Sequence, residues 1–109
     1  MIKSFRVEGK VQGVMFRQTF IRGLQKRNLK GGATNINEKN KPVFITIEAE
    51  TENKINQVIE ELLKIKILNS WNATVETISP IKNIQILQHE VTTENVDQHK
   101  WSSGVEFYF

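Results

Sequence analysis

Arg17 stands at the end of the stretch KVQGVMFR, residues 10–17, at the point where a loop leads into a helix-like pattern. The stretch contains a glycine and no acidic residue. Because the amino-terminal end of a helix is electropositive, a lone arginine there is mildly disfavoured unless an anion joins it. The position of Arg17 therefore raises the question of which negatively charged group lies beside it.

Two apolar patterns of helical spacing follow this loop in the sequence. Phe16, Phe20 and Leu24 recur every four residues and predict a helix with one apolar face, which Gly23 weakens by about 1 kcal/mol relative to alanine. The second helix is predicted after Thr51, its candidate N-cap. Its apolar positions are Ile55, Val58, Ile59 and Leu62.

Strand-like segments surround the two helices. Strands are predicted at residues 2–9, 33–36, 43–49, 73–78, 84–87 and 105–109. Pro80 is expected to force a bend or a break between the fourth and fifth of these. The β-α-β-β-α-β order predicts a ferredoxin-like α+β sandwich, an antiparallel sheet with two helices on one face. A chain of 109 residues has room for one such domain.

Charge is unevenly distributed along the chain. Residues 1–41 contain ten basic and two acidic residues, a net charge of +8, whereas residues 42–109 contain five basic and ten acidic residues, a net charge of −5. The basic first third predicts an anionic partner, or simply a solvated basic face. The absence of cysteine excludes disulfides and thiol nucleophiles. With no signal-like or membrane-spanning apolar run, we expect a cytoplasmic protein.

The motif around Arg17 resembles the signature of the acylphosphatases, small enzymes that hydrolyse carboxylic–phosphoric anhydrides. The pattern G-x-V-Q-G-V-x-F-R matches Gly9 to Arg17 at every position, and G-x-x-x-N matches Gly31 to Asn35. The eighteen positions between Arg17 and Asn35 also equal the spacing in that family. The resemblance implies that Arg17 binds phosphate and that Asn35 orients the attacking water.

Physical chemistry is consistent with both roles. The main-chain N–H groups of Gly13, Val14, Met15, Phe16 and Arg17 can form an anion-binding nest at the helix start, while Gln12 is expected to brace the loop. Phosphoryl transfer depends mostly on positioning and electrostatics, and a carboxylate leaving group needs little protonation. We therefore predict that the protein hydrolyses acyl phosphates by direct water attack, without a cofactor, a metal ion or a phosphoenzyme. We also expect it to be a monomer.

Three of the departures from the family pattern concern the site and the later part of the chain. Gly32 stands where family members commonly carry an aromatic residue, and Ile36 stands where a hydroxyl residue often steadies the asparagine. The third is the long segment at residues 81–103, to which no role is assigned. Trp71 and Trp101 are expected to pack beside the second helix and the last strand. His89, Glu90, Asp97 and His99 are interpreted as solvated residues rather than as metal ligands.

Two other functions share part of this sequence pattern. An RNA-recognition domain shares the element order, but KPVFITIE has one aromatic residue and lacks the glycine of the RNA-binding motif, so no nucleic-acid partner is predicted. The second is an acylphosphatase-like domain that binds acyl or carbamoyl phosphate without hydrolysing it. Gly32 and Ile36 favour this second alternative.

Overall fold

The computed structural model describes residues 1–109, which form two helices and a five-stranded antiparallel sheet. The strand order in the sheet is β4-β1-β3-β2-β5. The elements are β1 (Ile2–Lys10), α1 (Phe16–Lys26), β2 (Lys30–Asn35), β3 (Val43–Glu48), α2 (Glu52–Lys64), β4 (Thr74–Ile81) and β5 (Val91–Thr92). The first six confirm the predicted β-α-β-β-α-β order and the ferredoxin-like α+β fold.

The helices bury the faces that the sequence predicts. In α1, Phe16, Phe20 and Leu24 are fully buried, and they join the apolar side of α2 in one core against the sheet. Thr51 caps α2, since its hydroxyl accepts a hydrogen bond from the main-chain N–H of Lys54. Neither helix is long and apolar enough to cross a membrane.

Two strand boundaries differ from the prediction. β2 begins at Lys30 instead of residue 33, so Gly31 and Gly32 belong to the strand. The chain turns earlier, at Asn28, whose φ is 57°. β4 continues through Pro80, because β4 is an edge strand where a missing main-chain N–H need not break the sheet.

The prediction of a closing strand at residues 105–109 is wrong. Only an isolated bridge between Asn69 and Phe107 forms there, and the fifth strand is instead Val91–Thr92, inside the segment without a predicted role. Residues 84–87 are not a strand either, since a 3-10 turn spans Ile86–Gln88.

Phe109 accounts for the glycine in α1. Its ring lies where a side chain at Gly23 would be, because a Cβ atom built on Gly23 would fall 2.2 Å from the ring. The ring also stacks on Phe20, with 6.5 Å between centroids, and Arg27 lies over its outer face at 4.3 Å. Gly23 therefore costs helix propensity but leaves space for the carboxyl-terminal aromatic ring.

The uneven charge distribution is partly balanced within the chain. Seven ion pairs are formed, and four of them join the basic first third to the rest of the chain. These four are Lys3–Glu52, Arg17–Glu90, Arg22–Asp97 and Arg27–Glu61. The acidic part of the chain thus neutralises part of the positive charge of the first third.

Candidate functional site

The loop between β1 and α1 has the backbone of an anion-binding nest. Gly13 and Met15 have φ values of 76° and 60°, while Val14 and Phe16 have negative φ, so the sign alternates along the loop. No main-chain N–H group from Gly13 to Arg17 donates a hydrogen bond to another group of the protein. Five donors therefore remain free at the start of α1, where the helix dipole adds positive potential.

Asn69 holds this loop from behind. It is fully buried after α2, and its amide nitrogen donates to the carbonyl of Val14 at 2.8 Å and to the hydroxyl of Thr19 at 2.7 Å. Thr19 in turn donates to the carbonyl of Met15 at 2.7 Å. These bonds hold the carbonyls of Val14 and Met15, so the conformation that leaves the loop N–H groups unpaired is fixed by the protein itself.

Gln12 bonds the loop between β1 and α1 to the segment that joins β2 and β3. Its amide nitrogen donates to the carbonyls of Ile36, at 3.0 Å, and Pro42, at 2.9 Å. Gln12 thus has the bracing position expected from the sequence, and it links the loop of Arg17 to the strand that carries Asn35.

The structure brings the two proposed catalytic side chains to one cavity of about 140 Å³. The lining residues are Val11, Gly13, Met15, Phe16, Arg17, Asn35 and Trp101. Of the predicted phosphate-binding residues, only Val14 does not line the cavity, because its side chain is buried in the core. A larger depression of about 520 Å³ lies at the opposite end of the strands, around Met1, Lys30 and Glu48, and contains neither Arg17 nor Asn35.

Asn35 has an unpaired group at this cavity. Its side-chain oxygen is buried and has no hydrogen-bond partner in the protein. Buried polar atoms are nearly always satisfied, so an unsatisfied carbonyl oxygen beside a cavity fits a position that takes up water or ligand. The backbone N–H of Asn35 is paired, since it donates to the carboxylate of Glu90 at 2.9 Å.

Glu90 also contacts Arg17. One carboxylate oxygen, Oε1, accepts from Arg17 Nη1 at 3.1 Å and from the N–H of Asn35. Residues 17, 35 and 90 are far apart in sequence, and Glu90 lies in the segment to which the sequence assigned no role. No local pattern around Glu90 indicates this contact.

His89 fills the space beside Gly32. Its Nδ1 lies 2.9 Å from the hydroxyl of Thr34 and its Nε2 lies 2.6 Å from the hydroxyl of Thr46. The Thr46 hydroxyl also donates to the carbonyl of Ile84, and this contact favours the tautomer in which Nε2–H donates to Thr46. Burial lowers the pKa of His89 to about 4, against the opposing effect of the neighbouring Glu90 carboxylate.

Trp101 forms a wall of the cavity instead of packing beside a last strand. Its indole N–H donates to the carbonyl of Val96 at 2.7 Å, and its ring lies 5.4 Å from the ring of His99. The imidazole of His99 contacts the carbonyl of Glu90, and Asp97 pairs with Arg22. The polar residues of this segment therefore bind to the protein rather than only to solvent.

The sequence matches the family model described as "Acylphosphatase" over residues 3–101. A search of curated proteins finds no match. Among solved structures, the acylphosphatase from Bacillus subtilis is similar, with 26% identity, a TM-score of 0.58, and coverage of 82% of this chain and 92% of that one. Full-length HypF in its phosphate- and nucleotide-bound form matches with 24% identity and a TM-score of 0.55, over 83% of this chain but 11% of that protein.

Proposed function

This chain belongs to the acylphosphatase family, and we propose that it hydrolyses acyl phosphates to a carboxylate and phosphate by direct attack of water. The observation that carries the proposal is the cavity at the start of α1. Its lining includes Arg17, Asn35 and three other residues of the loop whose main-chain N–H groups are unpaired, and the side-chain oxygen of Asn35 also has no partner in the protein.

The loop and Arg17 bind the phosphate group of the substrate. N–H groups at a helix start and a planar guanidinium both suit a dianion, and together they neutralise charge that spreads over the phosphate oxygens during transfer. Arg17 uses only Nη1 in its contact with Glu90, so Nε and Nη2 remain available for the phosphate. The phosphate, together with the Glu90 carboxylate that already pairs with Arg17, offsets the positive end of the helix dipole.

Asn35 holds the water. Its side-chain oxygen accepts a hydrogen bond from a water molecule and keeps it in line with the phosphorus atom. The water oxygen bonds to phosphorus as the bond from phosphorus to the acyl oxygen breaks, and the electron pair leaves with the carboxylate. The water proton passes to a phosphate oxygen, so an acyl phosphate dianion and water give a carboxylate and dihydrogen phosphate.

The reaction needs no further acid or metal. A carboxylate is a stable leaving group, and phosphoryl transfer draws most of its acceleration from positioning and electrostatic stabilisation. We therefore expect activity to survive treatment with a chelator.

Hydrolysis of benzoyl phosphate and acetyl phosphate in the presence of EDTA tests the proposal. Asn35→Ala should lower kcat on the order of 100-fold with little change in KM, because the water loses its position. Arg17→Lys keeps the charge but loses the planar fork, so kcat/KM should fall by a similar factor. Lys26→Ala, at an exposed position of α1, is the control and should retain full activity. A fully active Arg17→Lys enzyme would contradict the phosphate-binding role.

Isotope labelling tests the bond that breaks. In ¹⁸O-labelled water, attack at phosphorus places the label in inorganic phosphate, whereas attack at the acyl carbon places it in the carboxylate. We expect labelled phosphate and unlabelled acid by mass spectrometry. Label in the acid would remove the role given to Asn35.

A second candidate is a domain that binds acyl or carbamoyl phosphate without turnover. Ile36 favours it, because the residue after Asn35 offers no hydroxyl to steady the asparagine side chain. Protection of the fold by inorganic phosphate, with no hydrolysis of any acyl phosphate by the wild-type protein, would select this candidate.

A further inference from the structure

Glu90 contacts both proposed catalytic residues through one atom. Its Oε1 accepts from Arg17 Nη1 at 3.1 Å and from the main-chain N–H of Asn35 at 2.9 Å. These two residues lie on α1 and at the end of β2, and Glu90 comes from the segment before β5. One carboxylate therefore joins the two elements whose relative position the proposed chemistry requires.

The main chain of Glu90 is held on both sides. Its N–H donates to the hydroxyl of Thr34 at 3.0 Å, and its carbonyl accepts from Asn95 at 3.2 Å and from His99 at 3.0 Å. The adjacent pairing of Val91 with Ala33 fixes the register against β2. These contacts fix the position of the Glu90 carboxylate just beyond the end of the β2–β5 pairing. There it accepts a hydrogen bond from the main-chain N–H of Asn35.

Glu90 does not line the cavity that contains Arg17 and Asn35. It approaches the guanidinium at Nη1 and leaves Nε and Nη2 without protein acceptors. The side chains of Arg17 and Glu90 are 27% and 49% exposed, and exposed ion pairs contribute little to stability. Both facts favour a role in orientation over a role in folding or in blocking the site.

We propose that Glu90 is a positioning residue, which orients the Arg17 guanidinium toward the phosphate and fixes the end of β2 that carries Asn35. The inference rests on the proposed function of those two residues. It also assigns a role to the segment at residues 81–103. Ile36 offers no hydroxyl group that could hold the Asn35 side chain. The Glu90 carboxylate instead holds Asn35 by accepting a hydrogen bond from the main-chain N–H of Asn35.

Kinetics of Glu90→Ala, Glu90→Asp and Glu90→Gln test the proposal. Alanine removes both contacts and aspartate is too short to reach both, so each should lower kcat about tenfold or more while the melting temperature stays near the wild-type value. Glutamine retains an acceptor oxygen without the charge and should lie between these variants and the wild type. Glu94→Gln, which removes an exposed carboxylate without a side-chain partner in the same segment, is the control and should be fully active.

A double-mutant cycle measures the coupling. If Glu90 acts through Arg17, then Arg17→Lys combined with Glu90→Ala should reduce kcat/KM by much less than the product of the two single effects. Independent, multiplicative effects would overturn the proposal. So would a Glu90→Ala enzyme with unchanged kcat and a lower inhibition constant for inorganic phosphate, because Glu90 would then be a competitor for the anion site.

Phosphate binding keeps the proposal testable if the wild-type protein does not hydrolyse acyl phosphates. Calorimetry with inorganic phosphate should then show weaker binding to Glu90→Ala than to wild type or Glu94→Gln, since Arg17 loses its orientation. Equal or tighter binding to Glu90→Ala would overturn the positioning role. The absence of turnover in the wild type contradicts the proposed function, whereas these affinities test Glu90 alone.

Discussion

The imidazole of His89 lies directly over the main chain of Gly32. A Cβ atom built on Gly32 would fall 2.6 Å from the Cβ of His89 and 2.7 Å from two ring carbons. The volume that other family members are expected to fill from strand β2 is therefore filled here from the segment before β5. The His89 side chain therefore occupies the space that is open because Gly32 has no side chain.

Gly32→Ala should destabilise the protein by about 1–3 kcal/mol, because the methyl group must displace a ring held by two threonine hydroxyls. Urea denaturation measures the change in the free energy of unfolding. In the double variant with His89→Ala, the cost should be smaller than the sum of the two single costs, since the clash is removed. Additive costs would show that the ring can move aside and that Gly32 is not constrained by it.

The stability of the protein should fall as the pH is lowered from about 6.5 to about 4. Burial lowers the pKa of His89 to about 4, whereas an unfolded histidine titrates near its ordinary value of 6.5. In this interval the unfolded state binds the additional proton, so acidification favours unfolding, by up to about 3 kcal/mol for a shift of this size.

Comparison with His89→Gln isolates this effect. Carboxylates titrate in the same range in both proteins, so the difference between the two curves of unfolding free energy against pH reports His89. Glutamine retains a donor and an acceptor for Thr34 and Thr46 but cannot be protonated in this range. Parallel curves would mean that His89 is protonated in the folded protein near its ordinary pKa.

Asn69→Asp should destabilise the protein by about 3 kcal/mol or more, because an acidic side chain cannot donate as the amide does to Val14 and Thr19. The same change should weaken binding of inorganic phosphate, since the loop of Arg17 loses its support. Thermal unfolding and calorimetry measure the two effects. Asn72→Asp, at an exposed position of the same turn, provides the comparison and should change neither by much.

Trp101→Ala should affect the acyl part of the substrate more than the phosphate part. The indole lines the cavity beside Arg17 and Asn35, so its loss removes an apolar surface for a large acyl group. We expect KM for benzoyl phosphate to rise roughly several-fold relative to KM for acetyl phosphate, which is the size of effect expected when one aromatic contact is lost. Equal changes for the two substrates would show that Trp101 does not contact the acyl group.

The sequence predicts those helices and strands whose residues show a clear local pattern. The apolar spacing of Phe16, Phe20 and Leu24 predicts α1. The seven specified positions of the motif from Gly9 to Arg17, all of which match, indicate the loop and the family. The start of β2 is not predictable in this way, because its first residues, Lys30 and the two glycines, have low strand propensity and pair only because β3 lies beside them.

The rest of the site depends on contacts between distant residues. Glu90 lies 73 residues from Arg17 and 55 from Asn35, and β5 has only two residues, too few to show an alternating pattern. Phe109 is likewise misassigned, because a run of aromatic and β-branched residues predicts a strand, while its actual role is to cover Gly23.

Both margins of the sheet are poorly suited to association with another chain. Exposed strand edges invite intermolecular pairing, which leads to aggregation or domain exchange. On one margin, Pro80 of β4 offers no N–H group to a visiting strand. On the other margin, β5 ends at Thr92, and the chain then forms a turn. In this turn, the N–H groups of Thr92 and Asn95 donate hydrogen bonds to each other's side chains. These features reduce the number of main-chain groups with which a second strand could pair at either edge of the sheet.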